Sequence, residues 1–233
     1  SGGTESLIFR GLFPAGETRD ATISALKGNF DYPFQYGYSM VGRVVEASDS
    51  GNAHWISKRV FAFQPHASSF LTLPEELLSL PAELADEDAV FLPNMETAVN
   101  LVMDGAPVLG EKVAVIGLGV VGLLTTSILG QFPLERVVGI DLLPFRRSQV
   151  DSVNMVSAVS PENALKNLPP QGYDLIYELS GSPAGLNLAI ELAGFESRIV
   201  VGSWYGNKTG SLDLGGKFHR SRIMLISSQV STI

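Results

Sequence analysis

The sequence predicts an α/β fold in which a six-stranded, doubly wound parallel sheet follows a smaller β-rich domain. Three observations predict it. Strand-like and helix-like segments alternate strictly after Pro107, and a glycine turn joins the first of those strands to the first helix. Before residue 105 the chain instead breaks into short apolar runs separated by Gly, Pro, Asn and Ser. With 233 residues, 45% of them hydrophobic and 17% charged, there is enough apolar material for a large core.

In the first region, residues 42–47 (GRVVEA), 59–63 (RVFAF), 69–73 (SFLTL) and 77–80 (LLSL) read as strands. Residues 86–104 open with acidic side chains and hold apolar positions at helical spacing after Pro93, which predicts two short helices stopped by Asp104-Gly105-Ala106-Pro107. The boundary between domains is placed at residues 95 and 96. In the second region the predicted strands are 112–116 (KVAVI), 136–140 (RVVGI), 155–159, 173–179 (YDLIYEL), 198–202 (RIVVG) and 222–227 (RIMLIS). Helices are predicted over 120–129, 144–153 and 183–193, with a last helical turn at 216–220. Six strands with intervening helices make a Rossmann-type sheet.

Gly117-Leu118-Gly119-Val120-Val121-Gly122 is a GxGxxG that leaves a buried strand and opens a helix. Gly117 permits the tight turn, Gly119 lets a pyrophosphate approach the backbone, and Gly122 lets the helix pack closely on the sheet. The amides that open the helix, at Val120 and Val121, together with its dipole favour the phosphates there. Asp141 ends the next strand about 20 residues beyond the third glycine, where a carboxylate accepts hydrogen bonds from the adenosine ribose. The same carboxylate would repel the extra phosphate of NADP, so NAD is the expected cofactor. Arg146 is placed over the adenine, although a guanidinium near the ribose could instead receive that phosphate, and Arg147 is placed toward solvent. Ser180 and Gly181 follow the fourth strand, and Gly202 and Ser203 the fifth, at the sheet edge where such folds bind ligands. Backbone contacts to the cofactor are expected from both pairs.

Other classes are disfavoured. Asp and Glu number 24 against 16 Lys and Arg, a net charge of −8 that argues against nucleic acid as partner. There is no cysteine, so thiolate metal sites are excluded, and His54, His66 and His219 lie far apart, so no metal is expected. No segment reads as a membrane span or a signal peptide, and the expectation is a cytoplasmic protein without a membrane partner.

The order of a β-rich domain before a dinucleotide fold resembles the medium-chain dehydrogenase/reductase superfamily. Tyr36-Gly37-Tyr38-Ser39-Met40-Val41-Gly42 resembles its GHExxG segment, with Tyr38 in place of the zinc-binding His and Ser39 in place of the Glu. Lys58-Arg59-Val60-Phe61 resembles its GDRV turn. Ser1-Gly2-Gly3-Thr4-Glu5 resembles the segment that carries the first zinc Cys and a proton-relay Ser or Thr, with glycine where Cys would be and Thr4 at the relay position. The tracts at 91–98, 202–206, 218–222 and 227–230 resemble a zinc-lacking branch grouped with the bacteriochlorophyllide hydroxyethyl dehydrogenases. The resemblance implies an alcohol dehydrogenase-like chain whose first domain is GroES-like and incomplete, working without zinc on a small-molecule substrate. It also implies a homodimer formed through the sheet edge at residues 222–228.

The candidate chemistry follows from this resemblance. Tyr38 falls where the zinc ligand would face the substrate cleft and is the leading proton donor. Thr4 is a relay, Glu96 a general acid or helix-capping residue, and His66 a proton-transfer group in a loop. Thr97 is matched to a position beside the nicotinamide. The expected function is zinc-independent hydride transfer between NAD(H) and a small carbonyl, alcohol or enone, with a non-catalytic NAD(H)-binding protein as the alternative.

Overall fold

A computed structural model of the chain describes residues 2–13, 23–152 and 156–230. Ser1, Val153 and Met155, which the sequence reading places in the relay segment, a helix and a strand, lie outside the described residues. The chain divides into two compact units, one running to Pro93 and one starting at Asn94.

The first unit opens with α1 (Gly2–Phe9), a helix that the sequence reading does not anticipate. β1 (Met40–Arg43), β2 (Arg59–Ala62) and β3 (Leu78–Ser79) form an antiparallel sheet in that order. β1 ends earlier than residues 42–47 suggest. Val44 makes one more exchange with Lys58 and Ser57, and Val45 then points into solvent, 86% exposed. Residues 69–73 form no strand: Leu71 is fully exposed and the segment has no ladder partner. A cluster of rings replaces much of the regular structure. Phe13 packs on Phe30 at 4.7 Å between centroids, and Tyr32 stacks on Phe34 at 5.0 Å. Arg59 ties the sheet to α2 (Asp86–Ala89) through Asp86 Oδ1 at 2.9 Å from Nε and the Leu84 carbonyl at 2.5 Å from Nη2.

The second unit begins with α3 (Leu92–Gly105), whose first residues precede the division at Asn94. β4 (Lys112–Ile116), α4 (Val120–Leu129), β5 (Arg136–Ile140), α5 (Pro144–Ser148) and β6 (Val156–Val159) follow. Next come α6 (Pro161–Lys166), β7 (Tyr173–Glu178), α7 (Pro183–Leu192), β8 (Ala193–Val201) and β9 (Met224–Ser227). The sheet order is β6-β5-β4-β7-β8-β9, every neighbouring pair parallel, so the winding reverses between β4 and β7. This is the doubly wound arrangement that the alternating pattern predicts.

β4 shows why the alternation was readable. Its Val113 and Val115 enter one apolar cluster with Leu101 and Val102 of α3 and Leu129 of α4, while Ala114 and Ile116 enter the other with Leu186, Ala189 and Ile190 of α7. A strand buried on both faces needs an unbroken apolar run, and KVAVI supplies one. The differences lie at element ends. α6 was missed; it is set by Ser160, whose Oγ accepts from the Asn163 amide at 3.3 Å, and by Pro161 in its first turn. α5 passes at Gln149 into a tighter turn that runs to Ser152. β8 begins at Ala193, five residues earlier than expected, where Gly194 lies against the Gln171 carbonyl too closely for a side chain. The helical stretch near the end starts at Leu214 rather than Gly216. β9 starts at Met224, after Arg222 has turned the chain with a φ of 53°. Among the described residues, no helix is long and apolar enough to cross a membrane.

Candidate active site

The second unit holds its candidate site at the carboxyl ends of its strands, beside the reversal of winding. Gly117 leaves β4 with a φ of 96°, a left-handed value that favours glycine. A Cβ there would stand 2.6 Å from the Leu179 carbonyl oxygen. At Gly122 a Cβ would stand 1.9 Å from the Gly117 carbonyl oxygen, so the helix lies on the turn at a distance that only glycine permits. Gly119 is different. It caps α4 in an extended conformation, φ −72° and ψ −172°, that any residue can adopt, and a Cβ there meets nothing within 4 Å. No protein contact requires a glycine at 119. The space beside it lies where the first amides of α4 emerge with no side-chain cap, a geometry that suits an anion.

Asp141 is buried and follows β5. Its Oδ2 accepts from the Leu118 amide at 2.8 Å, and its Oδ1 from the Leu143 amide at 2.8 Å. It therefore holds the glycine turn in place; Oδ2 also accepts from Arg146 Nη1, and Oδ1, with the Leu143 amide as its one donor among these bonds, keeps a second lone pair. Arg146 approaches the Asp141 carboxylate at 3.5 Å. Arg147 is not simply turned to solvent: its Nη1 donates to the Asp141 and Leu142 carbonyls, each at 2.8 Å, which closes the turn into α5.

Beyond β7 and β8, Ser180, Gly181, Gly202 and Ser203 come together at the expected edge, where three of their four amides are bonded inside the protein. The Ser180 amide donates to Glu178 Oε1 at 2.9 Å, the Gly181 amide to Ser203 Oγ at 2.8 Å, and the Gly202 amide to the Glu178 carbonyl at 3.1 Å. Sequence reasoning missed Glu178, which is fully buried at the end of β7 and lies inside this network. A charged residue ending an apolar strand was the available signal. Tyr205 donates to Glu178 Oε2 at 2.5 Å, and burial followed by that carboxylate pushes its hydroxyl pKa up, so it stays a donor.

Glu96 and Thr97 sit in the second turn of α3 rather than at its start, because the helix begins at Leu92. Glu96 is thus not in the first turn, and the capping role does not hold. Both side chains are half-buried.

In the first unit, the structure brings His66 to Glu5, Nε2 to Oε1 at 2.8 Å. The His66 amide donates to the Tyr36 carbonyl at 3.1 Å, and Gly37, with a φ of 116°, lies so close to the imidazole that a Cβ would stand 2.8 Å from it. Tyr36, Phe34, Tyr32, Ile8 and Phe9 complete the lining of a cavity of about 380 Å³ around that pair. Tyr38 is half-buried and meets the Tyr36 ring edge-on at 6.1 Å between centroids. Thr4 lies on α1, one residue before Glu5. Glu5 was not singled out by sequence; helical structure over Gly2–Phe9 is what presents it to His66. Among the described residues, no group of three or more His, Cys, Asp or Glu is arranged to hold a metal ion.

No family model matches the chain. An L-threonine 3-dehydrogenase of Bacillus licheniformis is 29% identical over 128 residues, which cover 52% of this chain and 36% of that protein. The crystal structure of 2R,3R-butanediol dehydrogenase from Bacillus subtilis shares the fold at a TM-score of 0.69 and 20% identity, covering 93% of this chain and 69% of that one. These similarities are to dehydrogenases of the medium-chain dehydrogenase/reductase type. A protein from Escherichia coli described as a short chain alcohol dehydrogenase, solved in complex with NADH, matches in fold at a TM-score of 0.68 and 18% identity, covering 84% of this chain and 68% of that one. The chain spans about half the length of the curated relatives it matches, 36% of the first and 51% of a probable D-xylulose reductase A of Aspergillus fumigatus.

The glycine geometry makes a prediction about stability. Gly122→Ala forces a Cβ into the Gly117 carbonyl and should lower unfolding free energy by about 1–3 kcal/mol. Gly119→Ala should leave it within about 0.5 kcal/mol of the unmutated chain. Thermal unfolding of the two variants side by side checks both.

Proposed function

We propose that this chain is an NAD(H)-dependent oxidoreductase that moves hydride between the nicotinamide and a small carbonyl, alcohol or enone without using zinc. The carrying observation is the space beside Gly119, framed by Gly117, Gly122, the opening amides of α4 and the buried carboxylate of Asp141. A dinucleotide fits this frame: its pyrophosphate against the opening of α4, its adenosine ribose on the remaining lone pair of Asp141 Oδ1. The dehydrogenase names of the relatives support the same reading.

The bound nicotinamide supplies the hydride chemistry. The first unit supplies groups for the accompanying proton. His66, whose Nε2 lies 2.8 Å from Glu5 Oε1, can pass a proton, and the Tyr38 hydroxyl can donate to a substrate oxygen, with Thr4 as a relay. Zinc independence rests on Gly2, Gly3, Tyr38 and Ser39 standing at the positions matched to zinc ligands and their neighbours; none of these glycines brings a donor side chain. Pairing through β9 is part of the proposal, supported by Met224 and Leu225 on that edge strand, 48% and 38% exposed.

NADH should bind at least about tenfold more tightly than NADPH, a difference of about 1.4 kcal/mol. Asp141→Ser should narrow that ratio. The ratio is the informative quantity because the substitution also releases the Leu118 amide. Equal affinities in the unmutated chain would contradict the assignment of NAD, and binding of neither would contradict the dinucleotide site.

Once a carbonyl or quinone screen yields a substrate, Tyr38→Phe should lower kcat/KM by about 10²-fold while NADH affinity persists. Unchanged turnover would shift the donor role to His66 and Glu5. Chelator should leave turnover unchanged.

A further inference from the structure

The loops that follow β7 and β8 are fastened to each other through one buried carboxylate. Glu178 has no exposed surface, and three donors converge on it: the Ser180 amide at 2.9 Å and the Ser180 hydroxyl at 2.5 Å on Oε1, and the Tyr205 hydroxyl at 2.5 Å on Oε2. An acceptor-only carboxylate suits a position where every partner donates. Further bonds link the same two loops. Ser203 Oγ accepts from the Gly181 amide at 2.8 Å and donates to the Glu178 carbonyl at 3.2 Å, and Lys208 Nζ donates to the Gly181 carbonyl at 2.7 Å. Space for the carboxylate is kept by Gly185 in the first turn of α7, where a Cβ would stand 2.8 Å from Glu178 Oε1 and 2.2 Å from Ser180 Oγ. A buried carboxylate left without its donors costs more than an ordinary hydrogen bond, so the loops are held where the donors meet it.

The sheet order says what such a fastening would serve. If the adenosine half lies over β5, at Asp141, and the pyrophosphate at the end of β4, the other half of a dinucleotide extends past the reversal of winding, over β7 and β8. We infer that Glu178 is a positioning residue, a buried clamp that fixes the 203–208 loop on the 180–182 loop and so sets the wall for the nicotinamide end of the cofactor. This inference rests on the dinucleotide reading of the preceding subsection. It assigns Glu178 and Tyr205 no contact with the reacting atoms.

The test uses the full chain with two ligands, NADH and ADP-ribose, which lacks the nicotinamide. Tyr205→Phe keeps the ring and removes one donor from the carboxylate. It should weaken NADH about tenfold, the worth of one hydrogen bond to a charged group, and leave ADP-ribose within about twofold. Amide exchange should rise in residues 203–208 and stay unchanged in β4 and β5. Glu178→Gln should weaken NADH in the same direction, and the double variant should lose less than the two single effects combined, because both act on one bond. Equal loss of both ligands, loss of neither, or unchanged exchange over 203–208 would overturn the inference; the Tyr205 variant carries the test alone if Glu178→Gln does not fold. Failure of the dinucleotide reading is distinct: the unmutated chain would then bind neither ligand, and the positioning role would fall with it.

Discussion

The second unit depends on the contact between Gly122 and the Gly117 carbonyl. A Cβ at 122 would stand 1.9 Å from that oxygen, and one at 117 would stand 2.6 Å from the Leu179 carbonyl, so the turn, the helix and the neighbouring loop meet backbone to backbone. That closeness puts the opening of α4 directly over the end of β4, between β5 and β7. With any larger residue at 122 the helix would stand off the sheet, and its first amides would no longer emerge at the place where the winding reverses.

Two buried carboxylates flank this contact, one on each side of β4. Asp141, just after β5, takes the amides of Leu118 and Leu143; Glu178, the last residue of β7, takes the amide and hydroxyl of Ser180 and the hydroxyl of Tyr205. Each turns loop amides, which would otherwise need solvent, into fixed structure. The result is a rigid rim around a space that the protein itself leaves open beside Gly119. In the first unit the organisation is different: aromatic rings pack on one another, and an acid–imidazole contact, Glu5 with His66, opens onto a cavity.

The sheet was legible because a buried parallel strand must be apolar on both faces. Residues 112–116 and 136–140 have the same ends in the sequence reading and in the structure, as does the helix over 120–129. The glycine turn was legible too: Gly117 and Gly122 each answer a separate steric demand, and Gly119 leaves open space. Elements held by particular contacts were not. α6 starts from a serine cap, β8 is lengthened by the close approach of Gly194 to residue 171, and residues 69–73 are a short apolar run like a strand but have no strand beside them. Among candidate site residues, Asp141 is singled out by its spacing, and its contact with a ribose belongs to the proposal. Glu178 and Glu5 were missed because their partners, Tyr205 and His66, lie 27 and 61 residues away and no local pattern links them.

The central claim is that the space beside Gly119 is the seat of a pyrophosphate. Calorimetric titration of NADH into the unmutated chain and into Gly119→Ala tests it most directly, because the added methyl meets no protein atom and projects only into that space. The account predicts normal folding of the variant with NADH affinity reduced by at least about tenfold, 1.4 kcal/mol. Equal NADH affinity in the two proteins would contradict it.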